Sequence, residues 1–330
     1  MSVEVWTSAA FHGEVEAWVR ERLADLGIRP TGEWAQPHTR SWSSTISFET
    51  TAGRVWFKVN GAGTRHEPAL VELLSELAPD LVPEVLAVCL DRGWSLTRDG
   101  GPLLREALAA EDSWQAWAGV LQRYAAAQVA LSDARDAVLA VGVAEVTPAT
   151  VPLLARGLID ELRAVPRDSG GLAADEARGL TQALPALDSW CAELGASPVP
   201  DSVQHDDLHS GNVCWGGSSD SARVIDWGDT SWGTPLATML VTTSSIAGFA
   251  GLPDDDPAVL RVRDAYLEPL TVWADRADLV RLVDLACRAG CVARALSWRA
   301  AMQGASVAQH AALDFPVRSW LLELLAPPGT

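Results

Sequence analysis

The residues best suited to chemistry lie in one stretch, from Val203 to Thr230. It reads V-Q-H-D-D-L-H-S-G-N-V-C-W, then a short polar turn, then A-R-V-I-D-W-G-D-T. His205, Asp207 and Asn212 form H-x-D-x-x-x-x-N, and Asp226 follows fourteen residues after the Asn, at the end of an apolar run. Phosphoryl transfer from ATP needs such a set. One carboxylate orients an attacking hydroxyl and accepts its proton, while an amide oxygen and a second carboxylate hold Mg2+ against the triphosphate. On this reading Asp207 is the base, Asn212 and Asp226 are the metal ligands, and His205 braces the loop.

A second signal is independent of that block. Lys58 is the only lysine in the sequence, and it sits in R-V-W-F-K-V, which alternates with the period of a strand. A compact ammonium on a flexible stem meets phosphate oxygens as a point charge, a task for which arginine is not equivalent. Kinases pair such a strand lysine with a helix glutamate. Glu67 opens the next helical segment, T-R-H-E-P-A-L-V-E-L-L-S-E-L, and is the natural partner.

Several neighbours invite further roles. Asp229 lies three residues past Asp226 and is a candidate for a second metal, the substrate or a backbone N–H. Asp206 is expected to face solvent or a cap, or to add charge to the substrate cleft. His209 with His205 and Asp206 resembles a zinc-ligand spacing, but the Ser-Gly-Asn continuation is that of a loop, whereas ligation at i, i+4 needs a helix. R-S-W-S-S-T at 40–45 lies where a phosphate loop would be, and makes Ser43 and Ser44 candidate phosphate donors.

The elements that must position these groups can be read from periodicity. Residues 8–27 form an amphipathic helix with Ser8 as its cap. Strand signals run through 33–60, a helix follows at about 64–77, and P-E-V-L-A-V-C-L and G-W-S-L-T-R flank a D-R-G turn as two more strands. This predicts a five-stranded antiparallel lobe with one inserted helix. From about residue 102 the chain reads as helix, apart from two short strands around G-G-S-S-D-S within 213–226.

The chain resembles the aminoglycoside phosphotransferase family, whose protein-kinase-like fold is shared with choline and other small-molecule kinases. The resemblance runs in order through W-F-K-V, H-E-P-A-L-V-E-L-L, G-W-S-L-T-R-D-G-G, H-D-D-L-H-S-G-N and I-D-W-G-D. It implies an α+β, bilobal fold. Residues 1–98 would be a nucleotide-binding lobe, and 99–330 a helical lobe carrying a catalytic loop at 203–229 and substrate-binding helices. It implies Asp207 as the catalytic Asp, Asn212 and Asp226 as magnesium ligands and Lys58 as the phosphate-binding lysine. R-D-G-G-P-L at 98–103 would be the hinge, with backbone near Leu96 to Arg98 meeting the adenine. One departure is W-G-T-P-L-A-T, where the family often carries an acidic residue.

Composition narrows the partners. A net charge of −18 over 330 residues argues against nucleic acid, which calls for a basic patch. It suits a hydroxylated small molecule, including a cationic one. The longest apolar stretch, roughly 235–253, is interrupted by Thr238, Thr242, Thr243, Ser244 and Ser245, and reads as a buried helix rather than a membrane span. Five scattered cysteines without zinc spacing, and an N-terminus lacking the regions of a signal peptide, lead to the expectation of a cytoplasmic protein. No A-P-E-like anchor follows I-D-W-G-D, which favours a small acceptor over a protein. Two other readings stand beside an ATP- and Mg2+-dependent kinase. One is a non-catalytic nucleotide-binding protein with the same fold. The other is a metal-dependent hydrolase using His205, Asp206 and His209.

Overall fold

A computed structural model describes residues 3–109 and 113–326. Strands β1 (Pro30–Thr39), β2 (Ser43–Thr50), β3 (Gly53–Asn60), β4 (Val85–Cys89) and β5 (Trp94–Arg98) form an antiparallel sheet in the order β1-β2-β3-β5-β4. Its apolar face carries Ile46, Phe48, Val55, Phe57, Val59, Trp94 and Leu96, and the helix Ala9–Asp25 covers that face with Phe11, Val15, Val19 and Leu23. The 11-15-19-23 spacing puts all four on one helix stripe. The Ser8 hydroxyl accepts the Phe11 N–H at 3.2 Å, a cap contributing about 1 kcal/mol. Because successive strand side chains alternate, burying Val55, Phe57 and Val59 forces Trp56 and Lys58 onto the opposite face.

The helix Glu67–Leu77 follows β3 and packs on β4. Its Leu70, Val71 and Leu74 join the large apolar cluster of the helical half, together with Leu81 and Val82. Glu67 therefore opens a helix that packs on β4 of the sheet half while its apolar side chains reach the cluster of the helical half.

The rest of the chain is mostly helical. Its main helices are Trp114–Leu131, Val151–Arg163, Ala174–Ala196, Thr238–Ala250, Pro257–Leu270 and Arg276–Ala301. Short strands β6 (Ala144–Val146), β7 (Ser202–Gln204), β8 (Val213–Cys214), β9 (Arg223–Val224) and β10 (Ser231–Gly233) make a β6-β10-β7 sheet and a β8-β9 hairpin. Among the described residues no helix is long and apolar enough to cross a membrane. All five cysteines are free.

The two halves touch where the chain leaves β3. A Cβ added at Gly63 would lie 1.8 Å from the Ala300 carbonyl oxygen, so only glycine lets this turn meet the end of the Arg276–Ala301 helix. Beside it, the Trp42 and Trp298 rings meet edge to face with centroids 5.5 Å apart. The β1–β2 turn is thereby tied to the helical half.

Candidate active site

The candidate stretch leaves β7, loops through His205 to Asn212, crosses the β8-β9 hairpin and ends at Asp226. The Ile225 N–H donates to the Asn212 carbonyl at 2.9 Å and ties the two limbs together. His205 is fully buried beneath them. Its Nε2 lies 2.9 Å from the Ile225 carbonyl, and its Nδ1 accepts the Asp207 N–H at 3.2 Å. These contacts require the Nε2–H tautomer. Burial pushes the imidazole down to about 4, against the pull of the Ile225 carbonyl, so the ring is neutral. His205 is a brace, as the sequence indicates. Trp227 packs against it with ring centroids 4.8 Å apart.

Asp206 and Asp226 both hold left-handed backbone, with φ of 62° and 65°. Asp tolerates this region better than most residues, because its short polar side chain bonds locally. The turn at Asp226 swings its carboxylate back toward β3. The Lys58 Nζ sits 2.5 Å from Asp226 Oδ1 and 2.6 Å from Glu67 Oε2. Glu67 Oε1 also accepts the Trp227 N–H at 3.0 Å. A Cβ at Gly228 would come within 3.2 Å of Glu67 Oε2, so the glycine of D-W-G-D permits this approach. Burial draws the Lys58 ammonium down, but Asp226 and Glu67 outweigh it and hold Lys58 above its ordinary value. Burial raises the Asp226 carboxyl too, yet Lys58 prevails and holds it below the usual range. For Glu67 burial wins over Lys58, and its carboxyl is raised.

Asn212 and Asp226 offer hard oxygen donors, which suit magnesium. The Asn212 Nδ2 donates to the Asp207 carbonyl at 2.9 Å, which orients Oδ1 the other way as the free acceptor. The Asp226 side chain is 45% exposed to the cleft. The donor set therefore fits the metal.

Asp207 is a quarter exposed. Its Oδ1 accepts from Arg294 Nη2 at 2.9 Å, and its Oδ2 is 3.6 Å from His209 Nε2. Burial raises this carboxyl, but Arg294 and then His209 overcome it and bring it to about 2. Arg294 is absent from the motif reading. One signal for it was legible: it is a lone cation in A-G-C-V-A-R-A, a run of small residues, with no carboxylate three or four positions away. A buried arginine without a local partner must find a distant one.

Four expectations need correction. Asp206 faces neither solvent nor a cap. It is buried, its Oδ2 accepts the Ser231 hydroxyl at 2.5 Å, and burial pushes its carboxyl up to about 7. Asp229 accepts no backbone N–H among the described residues; its Oδ2 pairs instead with Arg294 Nη1 at 2.8 Å. Ser44 points into the sheet half, where Gln36 Nε2 donates to its hydroxyl at 2.8 Å and the hydroxyl donates to the His38 carbonyl at 3.1 Å. Ser43 opens β2 opposite Asn60, so the turn itself is Arg40 to Trp42. Strand alternation, which the loop reading overlooked, turns Ser44 inward. Leu96 and Arg98 lie within β5 between β3 and β4. The Arg98 backbone N–H goes to the Glu84 carbonyl at 2.9 Å, so it is not free to meet a base, and its guanidinium Nε goes to the Glu84 carboxylate at 2.8 Å.

The histidine-based metal reading also fails on geometry. Both His205 ring nitrogens are engaged, and His209 Nδ1 accepts the Gly211 N–H at 3.0 Å. Among the described residues no group of three or more His, Cys, Asp or Glu side chains is placed to hold a metal ion.

Comparison with known proteins follows the same lines. No curated protein sequence matches the chain. Among solved structures, a macrolide 2'-phosphotransferase from Brachybacterium faecium superposes with a TM-score of 0.60 at 19% identity, covering 95% of this chain and 99% of its own. A choline kinase from Streptococcus pneumoniae does so at 0.58 and 15%, covering 94% and 99%. An ethanolamine kinase from Plasmodium vivax does so at 0.58 and 14%, covering 89% and 81%. At these identities the likeness establishes the fold, a sheet lobe and a helical lobe in protein-kinase-like arrangement. The model of the phosphotransferase enzyme family matches residues 34–269, from β1 through the catalytic stretch and well over half of the sequence. The chain belongs to the phosphotransferase enzyme family.

Proposed function

We propose that the protein transfers the γ-phosphoryl group of ATP to a hydroxyl of a small molecule in the presence of Mg2+. The observation that carries this reading is the meeting of Lys58 with Asp226 at 2.5 Å. It joins a strand-borne ammonium and a loop-borne carboxylate from opposite sides of one cleft, beside Asp207 and Asn212. Lys58, held by Glu67, would bind the phosphates. Asn212 and Asp226 would hold magnesium, which when bound neutralises phosphate charge. Asp207 would accept a hydrogen bond from the acceptor hydroxyl. The acceptor oxygen forms the new bond to the γ-phosphorus, the bond to the β-phosphate oxygen breaks, ADP leaves, and the hydroxyl proton passes to Asp207. A carboxyl lowered to about 2 is a weak base. That is tolerable in a loose transition state, where orienting the hydroxyl outweighs early proton removal.

The similar solved structures are named for a macrolide, choline and ethanolamine as acceptors. What these share is a hydroxyl on a small molecule, and choline and ethanolamine also carry a cationic nitrogen; this class is the first to try. The test is ADP release and mass detection of phosphorylated product with Mg·ATP and choline, ethanolamine, a macrolide and an aminoglycoside. Product that depends on Asp207 supports the reading. ATP-dependent thermal stabilisation without phosphorylation of any acceptor would favour a binding protein instead.

A further inference from the structure

Arg294 is a cation in a place that is costly for one. Its side chain is 4% exposed, at the point where the Arg276–Ala301 helix is enclosed on every side from Ala289 to Ala295. Positions three and four residues away on the same helix hold Gly290, Cys291, Ser297 and Trp298, so the helix itself offers no counter-charge. Its guanidinium straddles two carboxylates from another part of the chain. Nη2 donates to Asp207 Oδ1 at 2.9 Å, and Nη1 to Asp229 Oδ2 at 2.8 Å and to the Ser297 hydroxyl at 3.1 Å. The Trp298 and Trp320 rings flank it, with centroids 5.9 and 5.5 Å from Cζ.

We propose that Arg294 is a positioning residue for the transfer: by bridging Asp207 to Asp229 it holds Asp207 in one rotamer, with Oδ2 alone left for the acceptor hydroxyl. The inference rests on the function proposed above. A purely structural arginine would be satisfied by Asp229, which lies half-buried beside it. Here the fork instead spends its second nitrogen on the carboxylate that faces the reacting hydroxyl. Stability gives little reason for the arrangement, since buried ion pairs are often replaced by apolar groups at no net cost. Geometry gives one. An aspartate has two free side-chain torsions, and pinning one oxygen removes that freedom before the acceptor arrives. A misplacement of about 1 Å at such a group can cost on the order of 10²-fold in rate. The bridge also cancels one of the two negative charges that Asp207 and Asp229 would otherwise turn toward the acceptor. The cleft is therefore less anionic than its carboxylate count suggests.

The test compares wild type, Arg294→Met, Arg294→Lys, Asp207→Asn and Arg294→Met/Asp207→Asn. Mg·ATP is the substrate and water the acceptor, so no acceptor need be known. The expected result is a fall in kcat on the order of 10²-fold for Arg294→Met, KM for ATP within about twofold, and partial recovery in Arg294→Lys. In the Asp207→Asn background, Arg294→Met should cost nothing further, because its effect passes through Asp207. An equal loss in both backgrounds, or a kcat within about twofold of wild type, overturns the proposal. If Arg294→Met does not fold, Asp229→Asn replaces it, releasing Nη1 and loosening the bridge with Asp207 intact, and is judged by the same non-additivity. A crystal structure of the variant supplies an arm independent of turnover. Asp207 spread over rotamers supports the inference, and Asp207 unmoved overturns it. If wild type hydrolyses no ATP, the crystallographic arm alone decides whether Arg294 positions Asp207, and the proposed function is judged separately by phosphorylation of the acceptor panel.

Discussion

The Lys58 ammonium and the Asp226 carboxylate lie 2.5 Å apart although 168 residues separate them in the chain. One comes from the face of β3 turned away from the sheet core, the other from a left-handed turn after β9. Glu67 completes the triad from the first turn of the helix that follows β3. Three elements thus converge on one charge, and the predictions below start from that point.

Breaking the Lys58–Glu67 pair should destabilise the fold, because Glu67 is only 4% exposed and would be left a buried, unpaired charge. The expected cost of Lys58→Met is on the order of 3 kcal/mol. Lys58→Met/Glu67→Gln should lose clearly less than the sum of the single variants in urea unfolding. Additive losses would mean that the two groups do not depend on each other.

Asp207→Asn keeps the shape of the side chain and removes its basicity. Transfer should fall by about 10²- to 10⁴-fold, with the ATP-induced thermal shift unchanged. Near-normal turnover in this variant would remove Asp207 from the reaction.

Asp226→Asn should leave the fold intact, since Asn also adopts left-handed backbone. It should abolish the gain in ATP affinity that Mg2+ provides. Calorimetric titration with ATP in the presence and absence of Mg2+ reads this directly. An unchanged magnesium dependence would show that the metal is held elsewhere.

Asp206 gives a pH signature. Burial raises its folded-state carboxyl to about 7, above the unfolded value of about 3.9. The folded protein therefore binds the extra proton between those values. The associated stability is complete below about pH 4 and is lost as pH rises through 7. Asp206→Asn removes this dependence while leaving the Ser231 hydroxyl an oxygen to donate to. Relative to wild type it should gain on the order of a few kcal/mol at pH 8 and about a third of that at pH 5. Melting curves at the two pH values check this, and a difference that does not change with pH would show Asp206 ionised throughout.

Much of the site could be read along the chain because covalent spacing places it. His205, Asp207 and Asn212 share one short loop, Asp226 closes the hairpin after it, and alternation along R-V-W-F-K-V puts Lys58 on the face opposite Val55 and Phe57. The five-stranded lobe, its covering helix and the Ser8 cap follow from periodicities of two and 3.6, which are local properties. The errors at Ser44 and Arg98 were local too: both lie inside strands whose alternation and pairing already commit their polar groups.

Tertiary structure alone decided the rest, because burial and charge pairing act through space. Arg294 is 87 residues from Asp207, and no spacing rule connects them. Only the packing of the Arg276–Ala301 helix against the catalytic loop brings a cation to two carboxylates in a low-dielectric setting. The same packing commits Asp229 to Arg294 and seals Asp206 beneath the site. The identity of the candidate groups is written in the sequence, but the protonation and orientation they hold are properties of what the fold places around them.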